Sequence, residues 1–367
     1  MYLILLFIST ASGFTVFYFF LNPQFGGKIE KTDILKYALS PNWKNGKFHN
    51  LEKTTMNINA KTLPSLLKEQ TRNAPERTPE KPLEVLPFDL QKFDAEPEKS
   101  KFVWYGHSVL LLQINGKNLL IDPMFGSDAS PIGPVRTKRF SEDTLEIIDS
   151  LPKIDAVLFT HDHYDHIDLH SIEKLKDKVD TFFVGLGIGR HLVRWGIDEA
   201  AITEFDWWQS IVFEGIEIHY TPSRHFTGRG LSDRAKSLWG GWVFKAKNES
   251  LYWSGDGGYG KHFKEIGQKL GPFDFAFMEC GQYNENWHQI HLHPEESVQA
   301  AIDAGAKKIM PVHWAGFKLA LHPWKEPVER FTAEAKKQNL SYLTPRIGEI
   351  ITFKNEHKTE PWFESLN

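Results

Sequence analysis

The chain has 367 residues with 41% hydrophobic and 25% charged side chains, ordinary values for a globular protein that exclude a disordered or collagen-like chain. Its formal net charge is -4 and its Lys and Arg residues are scattered, so we expect no nucleic-acid partner. Cys280 is the only cysteine, which excludes an intramolecular disulfide framework. The length suits one large layered domain and does not require two.

Residues 1–21, MYLILLFISTASGFTVFYFFL, carry no charged side chain, and Lys28 is the first in the chain. As a helix this segment would span about 30 Å, the thickness of the hydrocarbon core of a bilayer. It lacks basic residues at its start and ends in bulky aromatic residues, which favours an uncleaved transmembrane or signal-anchor helix over a cleaved signal peptide. A buried core helix is the other alternative, and apolar residues on every face disfavour it. Lys28, Lys31 and Lys36 follow the segment, which predicts that the body of the protein lies on the cytoplasmic side.

Residues 22–100 are rich in Pro, Lys and Glu and contain only short apolar patches such as ILKYAL and LPSLL. This composition predicts an N-terminal linker or extension with one or two helices that lie against a larger body. The prolines of NAPERTPEKPLEVLP indicate an extended segment near its end. We therefore expect the main domain to begin near residue 101.

From residue 101 onwards, short strand-like runs alternate with turns rich in Gly and Asp. Helical patterns, PEESVQAAIDAG and EPVERFTAEAKKQN, lie between the later runs. These features predict an α/β chain in which strands and helices recur in two halves. The strand-like runs are FVWYGHSVLLLQI, KNLLIDPMF, DAVLFTHDH, TFFVGL, IEIHYTPS, GGWVFKA, LYWSGD, FDFAFMEC, KKIMPVHW and EIITF.

The segment FTHDHYDHIDLH, residues 159–170, is dense in histidine and aspartate. It follows the apolar run IDAVLF, which predicts a buried strand, and open α/β sheets bind ligands at the carboxyl ends of such strands. Alternate residues of an extended chain point to the same side, so His161 and His163 can bind one metal ion. Asp165 and His166, after the turn, can bind another. Histidines and aspartates without partners at a strand end would cost folding free energy, so a metal site explains the pattern better than a structural role.

Three further donors follow apolar runs: His225 in IEIHYTPSRHFTG, Asp256 in LYWSGDGGYG and His313 in IMPVHWAG. Each of them alone is explained equally well as a core histidine or a strand-end turn. Imidazole and carboxylate donors without thiolates select zinc first, and iron or manganese after it. We expect two zinc ions per chain. The first set of ligands would be His161, His163 and His225, the second Asp165, His166 and His313, and Asp256 would bridge them.

This pattern resembles the metallo-β-lactamase fold, an αββα sandwich with a dinuclear metal site at its edge. The resemblance covers residues 101–353, so we expect a hydrolase domain over residues 101–355 and a C-terminal tail over residues 356–367. Within this fold, the chain is similar to the N-acyl-phosphatidylethanolamine-hydrolysing phospholipase D family. The motifs that carry the similarity are WYGHSVLLLQINGKNLLIDPMF, LPKIDAVLFTHDHYDHID, EFDWWQS, TPSRHF, SLWGGWVF, GDGGYGKHFKEIGQKLGPFDFA and VHWAGFKLALH.

The resemblance implies that a membrane phospholipid is the substrate, whose phosphodiester is hydrolysed to phosphatidic acid and an N-acylethanolamine. Two divalent ions can lower the pKa of a bridging water towards neutrality and so provide a hydroxide that attacks phosphorus. Asp165 and Asp256 would hold this nucleophile as well as the ions. His291 matches a family histidine, and we expect it to contact the substrate phosphate or the leaving group rather than serve only the start of a helix.

Three other polar residues have roles that the sequence leaves open. His293 stands where animal members of the family have an acidic residue, which puts its role in doubt. His107 has a family counterpart, but a buried structural histidine explains it equally well. Asp122 lies in a turn typical of the fold, so we expect a structural rather than a catalytic role.

Two other functions compete with this interpretation. One is a metal-dependent lactonase or a soluble-substrate phosphodiesterase of the same fold, because the ligands determine metal-assisted hydrolysis but not the leaving group. The other is a membrane-tethered binding protein without catalysis, which the complete ligand set argues against. The sequence makes no prediction of the oligomeric state.

Overall fold

The structure is a computed structural model that describes residues 22–130, 136–353 and 359–366. The α-helices within these residues are Lys31–Tyr37, Leu63–Thr71, Leu90–Asp94, Ile147–Ser150, Leu169–Leu175, Gly189–Arg194, His262–Leu270, Pro294–Asp303 and Glu326–Lys337. Short 3-10 helices cover Pro23–Phe25, Pro75–Arg77, Thr144–Glu146, Glu199–Ala201, Glu285–Ile290 and Trp362–Ser365. The strands are β1 (Trp43–Lys44), β2 (Lys47–Phe48), β3 (Lys101–Trp104), β4 (Leu110–Ile114), β5 (Lys117–Ile121), β6 (Ala156–Phe159), β7 (Phe182–Gly185), β8 (Ile202–Phe205), β9 (Ser210–Phe213), β10 (Ile216–Pro222), β11 (Gly240–Ala246), β12 (Glu249–Trp253), β13 (Phe275–Glu279), β14 (Lys308–Val312), β15 (Ser341–Tyr342) and β16 (Ile350–Thr352).

Two seven-stranded sheets form the body of the described chain. The strand order is β16-β3-β4-β5-β6-β7-β8 in the first sheet and β15-β14-β13-β12-β11-β10-β9 in the second. Each sheet joins an antiparallel part to a parallel part: β5 to β8 are parallel in the first, and β12 to β15 in the second. The carboxyl ends of neighbouring parallel strands therefore meet at one edge of each sheet, where α/β proteins bind ligands.

The strands distribute their side chains to two layers in alternation. Phe102 and Trp104 of β3 belong to the central cluster that joins the two sheets, whereas Val103 between them packs with Ile172 on the outer side of the first sheet. A third cluster, which includes Val298, covers the outer side of the second sheet with helices. Helices therefore cover the outer face of both sheets, which confirms the predicted α/β fold with its αββα sandwich.

The sequence patterns predicted the outermost strand β16 but missed the other three outermost strands, β8, β9 and β15, and the small hairpin β1–β2. Strands β8 and β9 are the last strands of their sheets, and their side chains are largely half-buried or exposed. An edge strand with one neighbour buries few side chains, so its residues do not form the apolar run by which the central strands were predicted.

The described part of the N-terminal extension, residues 22–100, packs against the sandwich. Tyr37, Phe48 and Leu83 are buried in the central cluster, and Phe93 is buried in the cluster outside the first sheet. These contacts agree with an extension that lies on a larger body. The domain boundaries at residues 100 and 355 stay predictions.

The prediction of a membrane-anchored protein with its catalytic domain on the cytoplasmic side needs correction. Among the described residues, no helix has both the length and the apolar character needed to cross a membrane. The longest α-helix there, Glu326–Lys337, has 12 residues, whereas the core of a bilayer requires about 20 apolar residues. The predicted anchor, residues 1–21, lies outside the residues that the structure describes.

Trp104 allows a test of the central packing. Its side chain is 0% exposed, its ring stacks on that of Trp314 with 5.4 Å between centroids, and its Nε1 donates to the carbonyl oxygen of His107 at 2.8 Å. We expect Trp104→Ala to lower the free energy of unfolding by about 3–5 kcal/mol, measured by urea denaturation, because it leaves a cavity between the sheets. The control Leu231→Ala removes a side chain that is 82% exposed and should change it by less than about 0.5 kcal/mol. A loss below about 1 kcal/mol for Trp104→Ala would contradict this packing.

Candidate metal centre

The polar residues singled out in the sequence lie at strand ends of both sheets. His107 follows β3, His161 follows β6, His225 follows β10, Asp256 follows β12 and His313 follows β14. The sandwich therefore brings together loops that are distant in the sequence.

The three histidines of the first predicted set lie together. The donor atoms of His161, His163 and His225 are all within 4.8 Å of one another. His161 Nε2 is 2.9 Å from His163 Nδ1, and His225 Nε2 is 3.2 Å from the same nitrogen. Three imidazole nitrogens thus converge on one point.

Neighbouring groups determine which of these nitrogens carry protons. His225 Nδ1 donates to a backbone carbonyl at 2.9 Å, so a neutral His225 has its lone pair on Nε2. Thr160 Oγ1 donates its only proton to a carboxylate at 2.7 Å, so it accepts from His161 Nδ1 at 3.0 Å and leaves the lone pair of His161 on Nε2. His163 Nδ1 can donate to only one of the two Nε2 atoms. At least one close pair of nitrogens therefore lacks a proton between them, and a cation at this point would bind all three.

The second predicted set lies beside the first. His166 Nε2 is 3.5 Å and His313 Nε2 is 4.0 Å from Asp165 Oδ2. His107 joins this set, because its Nε2 lies 2.8 Å from the same oxygen of Asp165 and its side chain is fully buried. The donor atoms of these four residues are all within 4.8 Å of one another.

Asp256 lies between the two sets. Its Oδ2 atom is 3.2 Å from both His166 Nε2 and His313 Nε2 and 3.8 Å from His161 Nε2. The turn that presents it requires glycine: Gly255 has a φ of 62°, and a Cβ there would lie 2.2 Å from a backbone oxygen of β11. This position suits a carboxylate that bridges two ions.

The charges of the site favour a divalent cation. Within the described ranges, the basic side chains within 4.0 Å of the Asp165 and Asp256 carboxylates are all histidines. Burial alone would raise the pKa of Asp256, but the neighbouring imidazole of His166 holds it well below its usual value, and despite burial the carboxylates of Asp256 and Asp165 raise the pKa of His166 well above its own usual value. Burial lowers the pKa of His161 and of His313 well below the usual value, so both imidazoles are neutral.

His313 Nε2 is buried and makes no hydrogen bond, although Asp256 Oδ2 lies 3.2 Å away. Neutral imidazoles beside ionised carboxylates are the donors that zinc, iron and manganese bind.

Asp122 supports the centre from behind. It is fully buried, accepts a hydrogen bond from Thr160 N at 2.8 Å, and its Oδ2 lies 2.9 Å from His166 Nδ1. Positive φ angles occur at Asp122 (42°), His107 (53°) and His313 (68°), conformations that non-glycine residues rarely adopt and that cluster at functional sites. Asp122 thus contacts a predicted ligand without itself facing the point where the donors converge.

His291 lies next to the centre. Its ring is stacked on that of His313 at an interplanar angle of 8° and a centroid distance of 5.4 Å. A ring nitrogen of His291 lies within 4.8 Å of donor atoms of His225 and Asp256. Its Nδ1 is 2.6 Å from Oε1 of the buried Glu279.

The positions of two other histidines of the motifs, His170 and His293, indicate structural roles. His170 lies on the helix Leu169–Leu175 with its side chain 57% exposed, and its Nδ1 is 3.4 Å from Glu173. His293 precedes the helix Pro294–Asp303 as its N-cap residue, and its ring packs on that of His288 at 4.4 Å. A helix start explains His293 without a metal ion.

Asn50, in the segment predicted to be a linker, contacts the predicted ligand His225, which the sequence patterns did not reveal. Its Nδ2 donates to the carbonyl oxygen of His225 at 2.8 Å, and its Oδ1 accepts from His225 N at 3.1 Å and from Trp239 Nε1 at 3.0 Å. Asn50 therefore clamps the backbone of a predicted ligand. No motif marks it, because its partner lies 175 residues later in the chain.

Comparisons with known proteins agree with this geometry. The model of the beta-lactamase superfamily domain matches residues 117–314, more than half of the chain. An uncharacterised protein of Mycobacterium tuberculosis is 36% identical over 329 residues, which cover 88% of this chain and 87% of that protein. The N-acyl-phosphatidylethanolamine-hydrolyzing phospholipase D 1 of Caenorhabditis elegans is 30% identical over 275 residues, 70% of this chain and 77% of that protein.

Solved structures support the same fold. Igni18, a metallo hydrolase from the archaeon Ignicoccus hospitalis, superimposes with a TM-score of 0.55 at 21% identity and covers 70% of this chain and 100% of its own. The family model, the relatives, the αββα sandwich and the converging donors lead to one conclusion: the chain belongs to the beta-lactamase superfamily and is a metallo-hydrolase of that superfamily.

Proposed function

We propose that the protein is a zinc-dependent phosphodiesterase that hydrolyses N-acyl-phosphatidylethanolamine to phosphatidic acid and an N-acylethanolamine. The observation that carries the proposal is the convergence of two donor sets with Asp256 between them, 3.2 Å from His166 Nε2 and 3.8 Å from His161 Nε2. Two-metal sites are common in enzymes that cleave phosphate esters. The similarity to a nematode phospholipase D over 70% of this chain supports this substrate class.

Two zinc ions fit the proposed ligands, since imidazole and carboxylate donors without a thiolate suit zinc. When bound, such ions stabilise the charge on phosphoryl oxygens and lower the pKa of a water molecule that attacks phosphorus. One ion would be held by His161, His163 and His225 and the other by Asp165, His166 and His313, with Asp256 shared.

The chain's own side chains would orient the reactants. Asp165 and Asp256 are acceptors that would hold the attacking water by hydrogen bonds as well as binding the ions. His291, beside His313, would contact a phosphoryl oxygen or the leaving group. Asp122 would keep the proton of His166 on Nδ1 and so leave Nε2 free to bind.

A cavity of about 410 Å³ opens beside His225, a volume typical of small-molecule sites. The guanidinium carbon of Arg234 lies 3.7 Å from the midpoint of the Phe226 ring, so this part of the cavity wall carries a positive charge. The wall also carries Lys47 and Lys53 as cations and Glu52 as an anion, and such a mixed surface suits a lipid that has both a charged phosphodiester and apolar arms. The apolar side chains that line it are Phe48, Leu51, Met56, Phe226, Ala235, Trp239 and Ile290.

A lactonase or a soluble-substrate phosphodiesterase would use the same metal centre, because bound ions stabilise attack on a carbonyl carbon as well as on phosphorus. A panel of N-acyl-phosphatidylethanolamine in mixed micelles, acyl lactones and nucleotide phosphodiesters separates these activities. A protein that hydrolyses none of them with its metal ions bound would favour the binding protein instead.

Metal removal tests the centre directly. We expect about two zinc ions per chain by mass spectrometry of the metal content, loss of turnover with a chelator and recovery with added zinc. Asp256→Ala should lower both metal content and turnover, because it removes the shared ligand. The control Asp177→Ala, at an exposed residue, should change neither. Full metal content and full activity in Asp256→Ala would show that this carboxylate does not bridge.

Asp122→Asn tests the support behind the ligands. Thr160 N would hold the amide oxygen, so the amide NH₂ would face His166 Nδ1 and favour the tautomer with a proton on Nε2, which cannot bind metal. We expect zinc affinity to fall about 10–100-fold in competition with a chromophoric chelator. Asp177→Asn serves as the matched control. Unchanged zinc affinity in Asp122→Asn would mean that the tautomer of His166 is set elsewhere.

Hydrolysis in oxygen-18 water identifies the bond that breaks. Attack on phosphorus with the N-acylethanolamine as the leaving group places the label in phosphatidic acid and none in the N-acylethanolamine, as read by mass spectrometry of the lipids. Label in a released fatty acid would reveal attack on a carbonyl, and an esterase or lactonase would then replace the phosphodiesterase.

A further inference from the structure

Glu279, the last residue of β13, is a buried carboxylate that the proposed reaction does not yet use. Its side chain is 1% exposed. Oε1 lies 2.6 Å from His291 Nδ1, and Oε2 accepts a hydrogen bond from Leu292 N at 2.8 Å. Among the described residues its ion pair is with His291, and no Lys or Arg side chain pairs with it. A buried carboxylate is costly unless its hydrogen bonds are satisfied, so these two contacts need an explanation.

Glu279 differs from the proposed metal ligands in its contacts. It lies within 4.8 Å of ring nitrogens of His291 and His313, which is close enough for a shared ion. Both of its oxygens, however, already make hydrogen bonds within the protein, Oε1 with the His291 ring and Oε2 with the Leu292 amide. Its arrangement resembles a carboxylate that orients a histidine rather than one that binds metal.

The contact determines how His291 is presented. When His291 Nδ1 donates to Glu279, the lone pair of the ring lies on Nε2, which has no hydrogen-bond partner among the residues that the structure describes. Stacking on His313 at 8° restricts rotation of the ring. The carboxylate and the stacked ring together hold the imidazole at one orientation beside Asp256 and His225.

We propose that Glu279 is a positioning residue that acts through His291: it keeps the imidazole proton on Nδ1 and so presents the lone pair of Nε2 to the amide N–H of the leaving group at the metal centre. This inference rests on the proposed phosphodiesterase function. It assigns to Glu279 the orientation of a substrate contact and no part in binding zinc.

A double-mutant cycle tests the inference. In Glu279→Gln, Leu292 N would hold the amide oxygen and the NH₂ would face His291 Nδ1, which removes the acceptor that orients the ring. We expect kcat to fall about 10–100-fold with zinc content unchanged, and His291→Ala to lower kcat by at least as much. Because Glu279 acts only through His291, the double variant should be no slower than His291→Ala alone.

The helix that follows offers a matched control. Glu296 Oε2 is 2.8 Å from His288 Nε2 and accepts from His293 N at 3.1 Å, the same combination of an imidazole and a backbone amide. Glu296→Gln therefore makes the same chemical change close by, without touching His291. We expect its kcat and zinc content to equal those of the unmodified protein.

Each contrary outcome has a distinct meaning. Loss of zinc in Glu279→Gln would make Glu279 a metal ligand, and losses that multiply in the double variant would make its role independent of His291; either result overturns the inference. If circular dichroism shows that Glu279→Gln does not fold, Glu279→Asp keeps the acid but moves it one methylene away from the ring, and the cycle is repeated with it. If the phospholipid is not hydrolysed but a lactone is, the proposed function fails while the cycle, measured on the lactone, still tests Glu279.

Discussion

The convergence of imidazole nitrogens and ionised carboxylates inside the protein is the constraint on which the rest of the structure depends. His161 and His225 aim lone pairs at the same nitrogen of His163, and Asp256 meets imidazoles from both sets. Within the described chain, no Lys or Arg pairs with Asp165 or Asp256. Such a cluster would lower the stability of the fold if it were buried without a cation. This cost agrees with the assignment of the chain to the metallo-hydrolases.

The backbone is locally strained at several of the residues that form or support this cluster. His107, Asp122 and His313 adopt positive φ angles, and Gly255 makes the close approach behind Asp256. The centre is also supported from a part of the chain outside the sandwich, because Asn50 clamps the backbone of His225. The N-terminal extension is therefore a wall of the site and of the adjoining cavity, and its composition alone did not indicate this.

The central fold could be predicted because its strands bury both faces. β4 and β6 are apolar at nearly every position, and the helices Pro294–Asp303 and Glu326–Lys337 follow their predicted patterns closely. The edge strands β8 and β9 escaped prediction, since residues with one neighbouring strand are only partly buried. The prediction of a membrane-anchored protein was wrong, because no helix among the described residues is long and apolar enough to cross a membrane. Hydropathy of a segment measures its preference for an apolar environment and says nothing of what provides that environment.

What the sequence by itself determined is local. The spacing of His161, His163, Asp165 and His166 within one turn indicates metal binding, because so many donors in a short loop have few structural explanations. What only the tertiary structure decided are the contacts between distant segments: His107 against Asp165, Asn50 against His225 and Glu279 beneath His291. Asn50 and Glu279 each make hydrogen bonds that many surface residues also make, so their types carry no signal. They acquire a role only when the two sheets pack and place their oxygens beside a histidine, which depends on the burial of the whole core and not on any short stretch of sequence.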